Sequence, residues 1–173
     1  MKKIVLTFGF LSGALSVLMM FGTMSFIDAI GFDRGVIVGY TAIVISFLFV
    51  YFGIRSYRDN VNGGAITFGK GLGVGLLITL ISCACYVGSW FVVERYFMPD
   101  FVDNYNAYAM DQLKASGAST ADIEKAAAEA AEFKKQYANP FIKAAFTLLE
   151  PLPVGLLITF ISAAVLRRKP RGA

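Results

Sequence analysis

Gly71-Leu-Gly-Val-Gly-Leu-Leu-Ile-Thr-Leu-Ile-Ser-Cys-Ala-Cys-Tyr-Val-Gly-Ser-Trp-Phe-Val-Val93 is a run of 23 residues without one Asp, Glu, Lys or Arg. An α-helix rises about 1.5 Å per residue and the hydrocarbon core of a bilayer is about 30 Å thick, so about 20 such residues cross it. Residues 4–27 and 35–54 form two further charge-free runs, of 24 and 20 positions. A fourth, Pro151 to Leu166, has 16 uncharged residues, and Ala144 to Leu149 extend it outward with Glu150 as the sole interruption. The period-two alternation of barrel strands is absent. The sequence therefore predicts an all-α protein, an integral membrane four-helix bundle with spans at about 4–27, 35–54, 71–93 and 144–166, in a single membrane domain covering residues 1–173.

Composition agrees with that reading. The apolar set makes up 57% of the 173 residues and charged residues only 16%, with mean hydropathy +0.63. A soluble domain holds roughly 45–50% apolar residues, and its core cannot absorb the excess. Met1-Lys2-Lys3 before an apolar run has the look of a signal peptide. The run continues through Phe21, Met24, Phe26 and Ile27 without an A-x-A site, whereas an h-region ends after about 7–15 residues, so a retained anchor is expected.

Lys and Arg are divided unequally between the two ends of the spans. Lys2, Lys3, Arg55, Arg58, Lys70, Arg167, Arg168, Lys169 and Arg171 fall on one side, with Asp59 as the only acid. The other side has seven basic residues against eleven acidic ones, among them Asp28, Asp33, Glu94 and Glu150. Orientation follows the Lys/Arg bias of short loops, so the basic side is expected to be cytoplasmic, together with both termini. The sequence pI of about 9.1 then calls for no nucleic-acid partner. The expected partners are the lipid bilayer and either a second copy of the chain or another membrane protein.

Asp28 to Arg34 reads as a short outer turn containing Gly31, and 55–70 as a cytoplasmic loop whose Asn62-Gly63-Gly64 is a turn signal. Gly64-Ala-Ile-Thr-Phe-Gly69-Lys70 imitates a phosphate-binding loop. That chemistry needs Ser or Thr after the lysine to hold magnesium, and a buried strand before the loop. Gly71 and a polar turn stand there instead. A basic loop leading into a helix is the better reading.

The segment 94–139 is too polar to span and too short for its own core, and reads as an outer helical hairpin. Phe101, Tyr105 and Tyr108 repeat at helical spacing until Ser116-Gly117-Ala118 interrupts them. Ser119 with Asp122 resembles a capping box, and Ile123, Ala127, Ala130, Phe133 and Tyr137 follow on one face of a second helix.

Catalytic or metal chemistry finds little to use. The chain has no histidine, which removes the usual proton shuttle, the commonest metal ligand and any acyl-transfer triad. Cys83 and Cys85 lie two apart on one helix, so they point about 200° away from each other and cannot hold one ion together. No cofactor, metal or enzymatic activity is expected. Glu150 is the residue that costs most to place, because it falls inside the fourth apolar stretch, just before Pro151 and Pro153. These prolines should kink or restart the helix. Glu94, Arg95 and Glu150 are grouped as a candidate membrane polar cluster, since an intramembrane carboxylate is a functional candidate by default.

Two patterns concern packing. Gly9/Gly13, Gly35/Gly39, Gly69/Gly73 and Gly71/Gly75 are G-x-x-x-G pairs, which allow helices to approach closely within one bundle or between copies. Val74-Gly-Leu-Leu-Ile-Thr-Leu-Ile-Ser82 recurs as Val154-Gly-Leu-Leu-Ile-Thr-Phe-Ile-Ser162, with eight identities in nine. In the expected topology the two copies run in opposite directions, as inverted transporter repeats do.

Ile54-Arg-Ser-Tyr-Arg-Asp-Asn60, Gly63-Gly64, Thr67-Phe68-Gly69-Lys70, Met98-Pro-Asp-Phe101, Asn139-Pro140 and Glu150-Pro-Leu-Pro-Val-Gly155 resemble the bacterial multi-pass membrane proteins grouped as domain of unknown function 4199. The resemblance covers nearly the whole chain. It implies a bacterial envelope protein of the inner membrane and brings no established activity. The functional expectation is a non-enzymatic interaction or assembly component, with a small transporter or channel subunit using Glu150 as the alternative.

Overall fold

The computed structural model describes residues 1–26 and 31–169. Its helices are α1 (Lys2–Ser25), α2 (Phe32–Asn60), α3 (Phe68–Tyr96), α4 (Phe101–Ala115), α5 (Thr120–Tyr137), α6 (Pro140–Leu148) and α7 (Pro151–Leu166). The fold is all-α. Among the described residues the only extended pairing is an isolated antiparallel bridge between Ile66 and Arg168.

Four segments are long and apolar enough to cross a membrane: Lys2–Met24, Arg34–Asn60, Phe68–Tyr96 and Pro140–Leu166. Only 28–39% of each apolar window is buried. Outward-facing residues such as Leu18, Ile37 and Val165 are about as apolar as the interior, each 67–70% exposed. Water would not tolerate such a surface over four helices, and lipid does. The chain is a multi-pass membrane protein.

The helices reach further than the charge-free runs. α2 continues to Asn60, so the connection to α3 shrinks from the expected 55–70 to 61–67. Its last turns hold because Ile54 and Tyr57 remain buried while Asp59 accepts from Arg58 at 2.6 Å and lies 3.7 Å from Arg55. Gly63 and Gly64 then take φ of +64° and +80°, a conformation that side chains with a Cβ rarely adopt. The expected turn Asp28 to Arg34 lies partly outside the described residues, as does Arg171. Gly31, at φ +79°, stands at the N-cap of α2.

The chain divides into two compact units, Met1–Ser89 with Leu148–Ala173, and Trp90–Thr147. In the first, α2 supplies the central stripe. Ile43, Phe47, Val50, Ile54 and Tyr57 are all buried, a four-three spacing that keeps one face of a helix turned inward. Val5, Val74, Ile78, Ile66 and Leu166 join the same cluster. At the basic end, Arg58 donates to the Leu166 carbonyl at 3.5 Å, and Ile66 and Arg168 exchange two backbone bonds of 3.0 Å.

The second unit contains the polar hairpin. Ser119 caps α5 as the sequence suggests, its hydroxyl accepting from the Asp122 amide at 3.2 Å. α4 and α5 run antiparallel, since Lys134 reaches Asp103 and Asn106 donates to the Ala130 carbonyl at 3.4 Å. The inward stripe of α5 is Ile123, Ala126, Ala130, Phe133 and Tyr137, with Ala127 exposed. On α4, Tyr105 is also 49% exposed, although its ring stacks on Phe101 at 6.2 Å.

Candidate functional site

Glu94 and Arg95 stand in the last turn of α3. Arg95 is exposed. Glu94 is held by a residue that the sequence did not single out: Lys143, in the second turn of α6, places its ammonium 2.6 Å and 2.5 Å from the two carboxylate oxygens. Both side chains are largely covered, at 14% and 15% exposure. The ammonium also lies 5.2 Å from the Tyr137 ring and 5.5 Å from the Phe91 ring, within the range at which an aromatic face attracts a cation.

Aromatic rings enclose this ion pair. Trp90 donates its indole N–H to the Tyr137 hydroxyl at 2.8 Å and meets Phe101 edge-on at 4.8 Å. Phe133 touches both Tyr137 and Phe146. Each charge alone is badly placed, a carboxylate at a helix C-terminus and an ammonium near a helix N-terminus, where the macrodipoles oppose them. Together they offset one another. The arrangement is a structural lock for the second unit.

Glu150 belongs to the first unit, at the N-cap of α7 with Pro151 as the first helical residue. The expected helix restart is present: α6 ends at Leu148 and α7 begins at Pro151. Glu150 itself is exposed, and its carboxylate accepts from the Tyr86 hydroxyl at 2.7 Å. The two carboxylates of the proposed cluster thus have different partners, Lys143 for Glu94 and Tyr86 for Glu150. Tyr86 was legible in principle. It lies eighteen residues beyond the start of α3, and Glu150 lies sixteen before the end of α7, heights of about 27 and 24 Å above the same end of the bundle.

The other candidates resolve simply. In the phosphate-loop imitation, Ile66 is buried and paired with Arg168, and Thr67 caps α3 by accepting from the Lys70 amide at 3.3 Å. The amides of Gly64, Ala65, Ile66 and Lys70 are already engaged. Cys83 and Cys85 are free thiols, the first buried and the second partly so. Among the described residues no group of three metal-ligating side chains comes together.

Two of the glycine pairs, Gly9/Gly13 and Gly71/Gly75, mark crossings inside the first unit, whereas a Cβ on Gly39, Gly69 or Gly73 would meet nothing within 4 Å. A Cβ on Gly9 would lie 2.8 Å from Cβ of Ile81, and one on Gly13 would lie 2.7 Å from Cβ of Cys85. The two copies of the echoed segment meet each other. Thr79 and Thr159 share a hydrogen bond of 2.9 Å, a Cβ on Gly75 would lie 2.6 Å from Thr159 Cγ2, and a Cβ on Gly155 would lie 2.6 Å from Thr79 Cγ2. These contacts are reciprocal, as a local two-fold axis across two antiparallel helices requires.

No curated protein and no solved structure matches this chain. The family described as protein of unknown function (DUF4199) matches residues 7–168, which takes in α2 through α7 and nearly all of α1, and the chain belongs to that family.

Proposed function

We propose that this protein is a non-enzymatic component of a bacterial inner membrane, with both termini cytoplasmic, that acts by holding another membrane protein through its α4–α5 hairpin. The observation that carries this reading is the hairpin itself. Helices of 15 and 18 residues bury only Tyr137 between them, too little apolar burial to offset the conformational entropy of ordering them. A partner surface supplies what is missing. The basic end, with Arg55, Arg58, Lys70, Arg167, Arg168 and Lys169, supports the cytoplasmic orientation through the Lys/Arg rule.

A photoreactive residue at Tyr105, which is 49% exposed on α4, is expected to give a discrete crosslinked protein in native membranes. The same residue at Leu18, 70% exposed on a spanning helix, is expected to capture only lipid. Lipid alone at both positions means that the hairpin rests on headgroups and defeats the proposal.

A second reading, a small transporter or channel subunit, draws on the reciprocal crossing of the echoed helices, because inverted repeats build many transporter cores. On that reading sealed liposomes carrying the protein show substrate- or proton-driven flux, and Glu150→Gln abolishes it. Flux that persists in the variant removes Glu150 from the pathway.

A further inference from the structure

At the basic end of the first unit, charge is left unbalanced. Its one acid, Asp59, is taken by Arg58 at 2.6 Å and by Arg55 at 3.7 Å. Among the described residues no carboxylate pairs with Lys70, Arg167 or Arg168, and all three are exposed. Like charges gathered at one end repel one another, and an anion from outside the chain offsets them.

Arg167 and Arg168 are set apart from the other cations by how they are held and by what lies beside them. The Ile66–Arg168 bridge, with two backbone bonds of 3.0 Å, fixes the chain that carries them, so less freedom is lost when an anion binds. Arg167 directly follows Leu166, the last residue of α7, which is buried at 3% exposure. Its guanidinium therefore stands where the apolar span ends, the level of headgroup phosphates and not of a soluble partner. Arg167 also comes seven residues after Phe160, about 20° short of two full turns, so it closes the outward row of Phe160 and Ala164. Phe160 is 56% exposed and is braced edge-on by Phe68 at 5.2 Å, with exposed Leu157 and Val165 beside it. An acyl chain lying along this row brings its phosphate to Arg167. Planar guanidinium groups match phosphate oxygens two at a time.

We propose that the cytoplasmic-type basic end binds an anionic phospholipid, with Arg167 and Arg168 on the phosphate and the outward face of α7 around Phe160 against an acyl chain. Lys70 supplies the contrast. It lies two residues beyond Phe68, about 200° round α3, and so faces away from the flank that Phe68 shares with Phe160. The site lies within the first unit and depends neither on the partner of the hairpin nor on flux through the bundle.

The test is native mass spectrometry of the full chain in detergent with added dioleoyl phosphatidylglycerol or dioleoyl phosphatidylcholine, which share a phosphate and acyl chains but differ in net charge. Phosphatidylglycerol should be retained about tenfold better. At about 1 kcal/mol for each basic residue near a lipid surface, Arg167→Gln and Arg168→Gln should each weaken its retention about fivefold. Lys70→Gln should change it less than about twofold. Protection of the buried Cys83 thiol from a thiol-reactive dye shows that each variant is folded, and Arg168→Gln leaves the backbone bridge in place. Sodium phosphate should displace the lipid no better than sodium chloride of equal ionic strength. Equal retention of the two lipids overturns the proposal. So does a loss in Lys70→Gln as large as in Arg167→Gln, which would mean diffuse surface charge, and so does displacement by phosphate beyond that by chloride, which would mean a site for free phosphate.

Discussion

Lys143→Ala is expected to lower the stability of the second unit by about 3 kcal/mol, the lower end of the range for removing one partner of a covered ion pair. The reason lies in what remains. Glu94 would stay at 15% exposure, at the C-terminal end of α3 where the helix dipole disfavours a carboxylate, with its ammonium partner gone. Trp90 is the only tryptophan in the chain, and its bond to Tyr137 and edge contact with Phe101 lie in the same unit. Its fluorescence during unfolding therefore follows contacts made inside this unit. The double variant Glu94→Gln with Lys143→Met should recover most of the loss, because a neutral amide beside a thioether leaves no uncompensated charge. Lys134→Ala serves as the contrast. It removes a pair with Asp103 whose side chains are 57% and 53% exposed, which is worth at most about 1 kcal/mol in solvent. If Lys143→Ala and Lys134→Ala shift the Trp90 transition equally, the Glu94–Lys143 pair is an ordinary surface contact and not a lock.

That pair shows where reading the sequence stops. Spans are legible because they depend on a quantity that accumulates along the chain: 23 charge-free residues in a row suffice, whatever packs beside them. The restart at Pro151 and the cap at Ser119 are legible because each depends on a few adjacent residues. The end of α2 was less so. Arg55 to Asn60 look like loop on charge alone, and only the burial of Tyr57 and the bonds of Asp59 show that the helix carries its charges beyond the apolar run. Partner choice is the least legible. Glu94 has Arg95 beside it in sequence, yet adjacent residues on a helix point about 100° apart, and the cation that reaches Glu94 comes from a different helix, 49 residues on. Tyr86 was hidden for another reason. Inside a charge-free run a tyrosine counts as one more apolar position, and its hydroxyl matters only once Glu150 is placed at the same height.

Gly75→Val and Gly155→Val are expected to prevent folding of the first unit, and the corresponding alanine variants to destabilise it by about 1–3 kcal/mol each. At both positions the added Cβ meets the Cγ2 of the opposing threonine at 2.6 Å. A β-branched side chain has little rotamer freedom with which to move aside, and the threonines are further tied by their shared bond of 2.9 Å. Gly73→Ala, where a Cβ meets nothing within 4 Å, should change stability by less than about 0.5 kcal/mol, or raise it slightly through helix propensity. The two strained sites should also be relieved by a second substitution on the opposite helix. Thr159→Ser removes the clashing methyl and should rescue Gly75→Ala almost fully, since its next contact is the flexible end of Ile54 at 2.9 Å. Thr79→Ser should rescue Gly155→Ala only in part, because the Phe47 ring remains 2.8 Å away. Equal melting of Gly73→Ala and Gly75→Ala would show that the α3–α7 crossing is looser than these distances require. The crossed rescue tests something more than tight packing. Along α3, Gly71, Gly75 and Thr79 climb in steps of four while their opposite numbers Ala163, Thr159 and Gly155 descend in steps of four, so a single glycine–threonine device is used twice, once in each direction. Reciprocity of that kind needs the same two residue types at both ends of the crossing, which gives the nine-residue echo a physical reason: the two copies are each other's binding surface.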